Sequence, residues 1–177
     1  MGKGTVVRAL LAARPELAFS VSSTTRSPRP GEVEGRHYHF VTDEEFDALE
    51  RAGGFLETAE VFGRRYGTPA VAVDEARESG RDVLLEVDVQ GARSVRQRVP
   101  DAVLIFLRPP SEAELERRLR ARGTEEGEAL ERRLAGARRE MAEATWFDHV
   151  VVNDRVEEAV DEVLAIMNNT NHREHTQ

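Results

Sequence analysis

The densest set of residues able to do chemistry lies between Ser20 and Tyr38, which reads SVSSTTRSPRPGEVEGRHY. Serine and threonine hydroxyls are followed by Arg26, Arg29 and Arg36, and Pro28 and Pro30 stiffen the chain between them. A fixed φ lowers the entropy lost when such a loop orders. Hydroxyl donors and forked guanidinium donors on a stiff backbone suit a phosphate, which accepts several hydrogen bonds at once. For an isolated RxxR the plain alternative is a solvated basic loop.

A second candidate lies at Gly2-Lys3-Gly4-Thr5. Of the 25 Lys and Arg residues 24 are Arg, and Lys3 is the sole lysine. The segment looks like the end of a phosphate-binding loop, GxxxxGK followed by Ser or Thr, which a strand feeds and a helix continues. The first five motif positions are absent, and no strand precedes Gly2. In this architecture that strand lies in the middle of the sheet, and its removal leaves unpaired backbone edges. The chain is therefore expected to be an incomplete version of a longer protein.

Composition narrows the field. A chain of 177 residues fits one domain with small insertions. A net charge of −8 argues against a general nucleic-acid binder, while clustered arginines fit a local anion site in an acidic protein. Without cysteine there is neither a disulfide nor a thiolate metal site. No signal peptide and no apolar run of membrane-spanning length is visible, so a cytoplasmic protein without membrane contact is expected.

The elements needed to position these residues alternate. Val6 to Ala13 reads as a helix and Leu17 to Val21 as a strand. Thr42 to Glu45 is a capping box opening a helix to about Ala52. Phe55 to Phe62 and Arg64 to Tyr66 read as antiparallel strands around Gly63. Thr68-Pro69 is expected to start a helix with Thr68 as N-cap. Asp82 to Val87 reads as a parallel strand buried on both faces. Asp88 and Gln90-Gly91 follow at its C-terminal end, where ligands of open α/β sheets collect. Ala102 to Leu107 and His149 to Val152 are further strands. Ser111 and Glu114 form a second expected capping box. Two Arg-rich helices, from Ser111 and from Glu128, flank a break at Gly123 to Gly127, and most of their arginines suit i, i+4 pairing with Glu. Arg155 to Met167 is amphipathic, and residues 169–177 read as a disordered tail. Strands alternating with helices place the chain in the α/β class with a parallel sheet flanked by helices.

Four pieces stand together: GKGT, the VSSTTRSPRPGEVEGRHY loop, FLE to YGT over Phe55 to Thr68, and EVDVQG at Glu86 to Gly91. The combination resembles the guanylate kinases, P-loop enzymes of the nucleoside-monophosphate-kinase fold that move the γ-phosphate of ATP onto GMP. The resemblance runs from Gly2 to about Asn168. It implies a core of residues 1–35, 69–110 and 146–168, a GMP-binding part at about 36–68 and a helical lid at about 111–145. It further implies that Ser22, Arg26, Arg29, Tyr38 and Tyr66 hold the GMP phosphate, and that Glu57, Thr68 and Asp88 read guanine. The N1–H and 2-amino group of guanine are both donors and a carboxylate is acceptor-only, so such a pocket rejects adenine. On the ATP side the resemblance places Gly2, Lys3, Gly4 and Thr5 at the phosphates and Asn153 and Asp154 at the adenine. Arg118, Arg122 and Arg133 match the lid arginines that neutralise the phosphoryl group in flight. Mg²⁺ is the implied cofactor. Gly4 stands where the motif has a hydroxyl, so Thr5 and Glu86 are the candidate metal contacts, directly or through water.

Two other readings remain at this stage. Guanylate-kinase-like domains also serve as binding modules without phosphate transfer, and a related P-loop kinase would use another acceptor. No obligate protein partner is evident.

Overall fold

The computed structural model describes residues 2–121 and 127–174. The chain divides into two compact units, one of residues 14–102 and one of residues 1–13 with 103–177.

In the unit of residues 14–102, two strands, β1 (Ala18–Phe19) and β2 (Ser23–Thr24), bracket the start of the arginine loop. After the loop come β3 (His39–Phe40), α2 (Asp43–Arg51), the hairpin β4 (Phe55–Val61) and β5 (Arg64–Pro69), α3 (Ala70–Glu78), β6 (Val83–Leu84) and α4 (Val89–Arg98). β2 to β5 form one sheet in the order β3-β2-β5-β4, with β2 parallel to β3 and antiparallel to β5. β1 pairs parallel with β6.

Local chemistry explains much of this. Thr42 Oγ1 accepts the Glu45 N–H at 3.1 Å while the Glu45 carboxylate accepts the Thr42 N–H at 2.8 Å, so α2 opens on the expected capping box. Its one fully buried side chain, Phe46, stacks on Phe55 with ring centroids 4.6 Å apart. The hairpin turns through Phe62 at φ 52° and Gly63 at φ 70°, two successive left-handed residues of the kind that tight hairpins require. Gly67 has no room for a side chain, because a Cβ there would lie 2.8 Å from the Phe55 ring.

Three expectations are corrected in this unit. Thr68 is not an N-cap: it ends inside β5, Pro69 takes the cap position of α3 without a side-chain bond, and the Thr68 hydroxyl is used elsewhere. The strand from Asp82 is regular only at Val83–Leu84, and residues 83–87 are half-buried, not buried on both faces. Among the described residues β6 has one strand neighbour, so the run is sealed along one edge only.

In the other unit, α1 (Lys3–Ala13) packs against α7 (Val156–Glu174), and β7 (Ile105–Arg108) runs parallel to β8 (His149–Val152). α5 (Glu112–Ala121) and α6 (Glu128–Ala142) bury a seam of Leu115, Leu119, Leu130, Leu134 and Ala137. The spacing of these residues is the a/d-like stripe of a packed helix pair. Ser111 Oγ accepts the Glu114 N–H at 3.1 Å, but the Glu114 carboxylate turns to Arg117 and Arg118, so only half of the second capping box forms. Trp146 and Phe147 lie 4.3 Å apart, and Phe147 meets Phe106 at 5.1 Å. Of the tail read as disordered over residues 169–177, the part to Glu174 extends α7, and residues 175–177 lie outside the described residues. Lengthening an existing helix avoids the nucleation cost that a separate polar segment faces.

Candidate functional site

The four-stranded sheet collects the residues singled out around the arginine loop. The carbonyl of Ser22 accepts the His39 N–H at 2.9 Å, and Thr24 registers with Tyr66. Tyr38, at the edge of β3, meets the Tyr66 ring edge-on at 5.9 Å. The Arg26 guanidinium lies over the Tyr38 ring at 5.3 Å. Burial raises the Tyr38 hydroxyl above its ordinary pKa, and the charge of Glu86 adds to that.

Arg26 is held from several sides. Both its terminal nitrogens donate to Glu32 at 2.9 Å, and Nη1 also donates to the Ser27 carbonyl at 2.7 Å. Burial works against its charge, but the bonds to Glu32 and the Tyr66 hydroxyl outweigh that and keep the guanidinium above its usual range. Its Nε is buried with no hydrogen-bond partner among the described residues. Glu32 also accepts the backbone N–H of Arg29 at 2.7 Å, so one carboxylate ties the Arg26 side chain to the Arg29 backbone. The Arg29 side chain itself is exposed.

The acids lie on adjoining elements. Glu57 on β4 is 5 % exposed and faces Thr68 across the ladder, whose hydroxyl donates to Glu57 Oε1 at 2.6 Å. Burial pushes the Glu57 carboxyl above its ordinary pKa; the Thr68 bond opposes this and the nearby Asp88 charge reinforces it. Asp88 is the N-cap of α4, its Oδ1 accepting the Gly91 N–H at 2.8 Å. Hydroxyls, guanidiniums and two carboxylates are thus set on this sheet, the loop after β2 and the adjoining helix start. That set can grip a phosphate at one end and receive hydrogen-bond donors at the other.

The second group lies in the other unit. Gly2 adopts φ 77°, and a Cβ there would come within 2.9 Å of the Asn153 amide nitrogen. Its carbonyl accepts the N–H groups of Thr5 and Val6, so Lys3, Gly4 and Thr5 form the first turn of α1. N–H groups at a helix start suit an anion. Asn153 is 2 % exposed, and its N–H donates to the Arg108 carbonyl at 2.8 Å. Arg118 on α5 reaches this corner: Nη1 donates to the Asn153 carbonyl at 2.8 Å and Nη2 to the Asp154 carbonyl at 3.2 Å. Its Nε donates to Glu114 at 2.6 Å. Bonds from Arg117 and then Arg118 lower the Glu114 carboxyl to about 2. Arg133 is half-buried on α6, and Arg122 lies outside the described residues.

Two residues with evident structural work at these sites were not assigned roles from sequence. Glu32 braces the arginine loop, and Gly91 supplies the N–H that holds Asp88. Both fell inside quoted motifs; Glu32 meets Arg26 six residues away along an irregular loop, which leaves no periodic signal, and Gly91 acts through its backbone N–H, which its residue type does not announce.

No group of three or more His, Cys, Asp or Glu side chains among the described residues is placed to hold a metal ion. The hydroxyl of Thr5, which is exposed, and the carboxylate of Glu86 are oxygen donors of the hard class that Mg²⁺ takes. No helix of the described residues is long and apolar enough to cross a membrane.

Comparison with known proteins identifies the family. The guanylate kinase family model matches residues 1–170. A guanylate kinase of Nocardia farcinica is 55 % identical over 175 residues, covering 98 % of this chain and 91 % of the relative. One of Rubrobacter xylanophilus is 55 % identical over 166 residues, covering 94 % and 87 %. The crystal structure of guanylate kinase from Anaplasma phagocytophilum superposes with a TM-score of 0.81 at 37 % identity, covering 94 % of this chain and 80 % of that one. A P-loop nucleoside-monophosphate-kinase fold, a sequence match along nearly its whole length and relatives at this identity lead to one conclusion: the chain belongs to the guanylate kinase family.

Proposed function

We propose that this chain transfers the γ-phosphoryl group of ATP to GMP, giving ADP and GDP. The observation that carries the reading is the buried pairing of Glu57 with Thr68 in the same unit as Arg26, whose buried Nε has no partner among the described residues. A carboxylate kept in a dry site with one oxygen fixed by a hydroxyl is poised for a ligand that brings its own donors. Guanine does so through N1–H and its amino group, and adenine does not.

In this reading Ser22, Arg26, Arg29, Tyr38 and Tyr66 bind the GMP phosphate, and Glu57, Thr68 and Asp88 bind the base. Gly2, Lys3, Gly4 and Thr5 receive ATP phosphates at the start of α1, with Asn153 and Asp154 at its base. A GMP phosphate oxygen attacks the γ-phosphorus in line, and the bond to the β–γ bridging oxygen breaks. The electron pair leaves with ADP. The chain contributes alignment and positive charge from Lys3, Arg118, Arg122 and Arg133, with no general base. Bound with ATP, Mg²⁺ supplies charge neutralisation on the phosphate oxygens. Thr5 or Glu86 would contact it, directly or through water. In this reading the part at about 36–68 closes on GMP and the helical lid at about 111–145 closes on ATP, each keeping water out as a competing nucleophile. The partners are thus small molecules, in the cytoplasm.

The test is ADP formation from ATP and Mg²⁺ with GMP or AMP as acceptor. We expect turnover with GMP and about 100-fold less or worse with AMP, the scale set by leaving buried acceptors unpaired. Equal use of AMP overturns the base reading. GMP binding without ADP formation makes the chain a binding module.

A further inference from the structure

Gly91 occupies the third position of α4, with ordinary helical backbone and its residue buried. No positive φ calls for glycine here. The reason lies across the gap: a Cβ on Gly91 would stand 2.5 Å from Glu57 Oε2, 3.0 Å from Glu57 Cδ and 3.1 Å from Val87 Cβ. Real Cβ atoms essentially never show separations below 3.0 Å, so an atom must shift. The same residue donates its N–H to Asp88 Oδ1 at 2.8 Å. Gly91 therefore touches both acids, one through its backbone and one through the space its missing side chain leaves.

We propose that Gly91 is a positioning residue for guanine selectivity, acting by leaving room for the Glu57 carboxylate. The inference rests on the proposed base-reading role of Glu57. Its physical basis is which atom yields when the space is filled. The carboxylate is the far end of a side chain with rotatable bonds, whereas Val87 Cβ is fixed to the backbone and needs to give only slightly. An added methyl group thus displaces Glu57 Oε2 and not the fold. The Thr68 bond restrains Oε1 at 2.6 Å, so the carboxylate can move only by rotating about that anchor or breaking it. Either movement alters the direction in which Oε2 accepts a hydrogen bond. Helix α4 gains from the change, because alanine is the better helix former. Gly91→Ala should therefore spare stability and damage recognition.

The experiment titrates GMP and AMP into the full chain and into Gly91→Ala, Glu57→Gln and the double variant, with thermal melting alongside. We expect Gly91→Ala to lose about 10-fold or more in GMP affinity, as for a misdirected bond to a charged group, with a melting midpoint no lower than the parent's. We expect the double variant to bind GMP no worse than the weaker single variant, since both changes act on one carboxylate. Unchanged GMP affinity in Gly91→Ala, losses that multiply in the double variant, or a collapsed midpoint each overturn the inference. If Glu57→Gln binds GMP as the parent does, the reading of Glu57 falls and the inference with it. If Glu57→Gln is weak and Gly91→Ala is not, the inference alone falls.

Discussion

The Arg26 guanidinium and the Glu32 carboxylate meet fork to fork, with both contacts at 2.9 Å, and the same carboxylate takes the Arg29 N–H at 2.7 Å. Glu32 is therefore a brace that holds the Arg26 guanidinium and the Arg29 backbone in place. A preordered group loses less entropy on binding. Glu32→Gln keeps the shape and removes the charge, so we expect the KM for GMP to rise about 10-fold, or about 1.4 kcal/mol, with the KM for ATP unchanged. Burial tends to raise the Glu32 pKa, but the bonds from Arg26 and the Arg29 N–H outweigh it and the net shift is downward. A lowered carboxyl pKa contributes stability that is present above the unfolded value and lost as pH falls through the folded one. The difference between parent and variant should thus shrink only as pH falls below 4.5. A GMP KM that does not move on mutation would remove Glu32 from this role.

Glu57 has the opposite sign. Its pKa is raised above 4.5 by burial first. The folded chain therefore carries a penalty that appears as pH climbs from 4.5 and is complete once pH exceeds the raised value. Glu57→Gln removes the buried charge and retains an oxygen for the Thr68 hydroxyl. We expect it to melt higher at neutral pH, a gain of about 1 kcal/mol appearing as about 2–4 °C, with no advantage below pH 4.5. We also expect its GMP affinity to fall by about 10-fold or more, because an amide presents donors where the base brings donors. In the parent, GMP affinity should decline as pH is lowered through the raised pKa, earlier than an ordinary carboxylate would allow. Melting curves and GMP titrations at several pH values check both signs.

Local rules carried the fold far, and long-range partners set its limits. The Thr42 to Glu45 capping box and the hairpin around Gly63 were legible because every participant lies within a few residues. Thr68 followed by Pro69 carries an equally good helix-start signal, yet the hydroxyl of Thr68 serves Glu57, eleven residues away and buried. Glu114 looked like the second half of a capping box, and two arginines one turn onward compete for it and win. The acids and arginines of the candidate site were legible as residue types through the family's motifs. What holds them was not. The Arg26–Glu32 fork and the space beside Gly91 exist only once a loop folds back and a helix meets a strand.

Arg118 has all three guanidinium nitrogens engaged, by Glu114 and by the carbonyls of Asn153 and Asp154. A planar fork is needed to span two successive carbonyls and a carboxylate, which a lysine ammonium cannot do. We expect Arg118→Lys and Arg118→Ala both to raise the KM for ATP, by about 10-fold for loss of charged hydrogen bonds, while GMP affinity stays within about twofold of the parent. Glu114 titrates at about 2, so the ATP effect should be constant across neutral and mildly acidic pH. An ATP KM that is unchanged in both variants would show that this corner does not shape the nucleotide's site.

Asp88 lets recognition be separated from folding. Its Oδ1 caps α4 through the Gly91 N–H, leaving the other carboxylate oxygen outside that bond. Asparagine caps a helix about as well as aspartate, whereas alanine costs about 1 kcal/mol. Asp88→Asn should therefore melt with the parent, and Asp88→Ala about 2–4 °C lower. For base reading the two variants should be alike, since neither offers the negative acceptor that guanine's donors require. We expect both to narrow the preference for GMP over AMP, with ATP binding little altered. The pairing of the variants is what gives the test its force: an effect on selectivity common to both, with a melting difference between them, assigns the carboxylate to the ligand and the cap to the helix. A preference for GMP that survives in Asp88→Asn would mean that Glu57 and Thr68 read the base without Asp88.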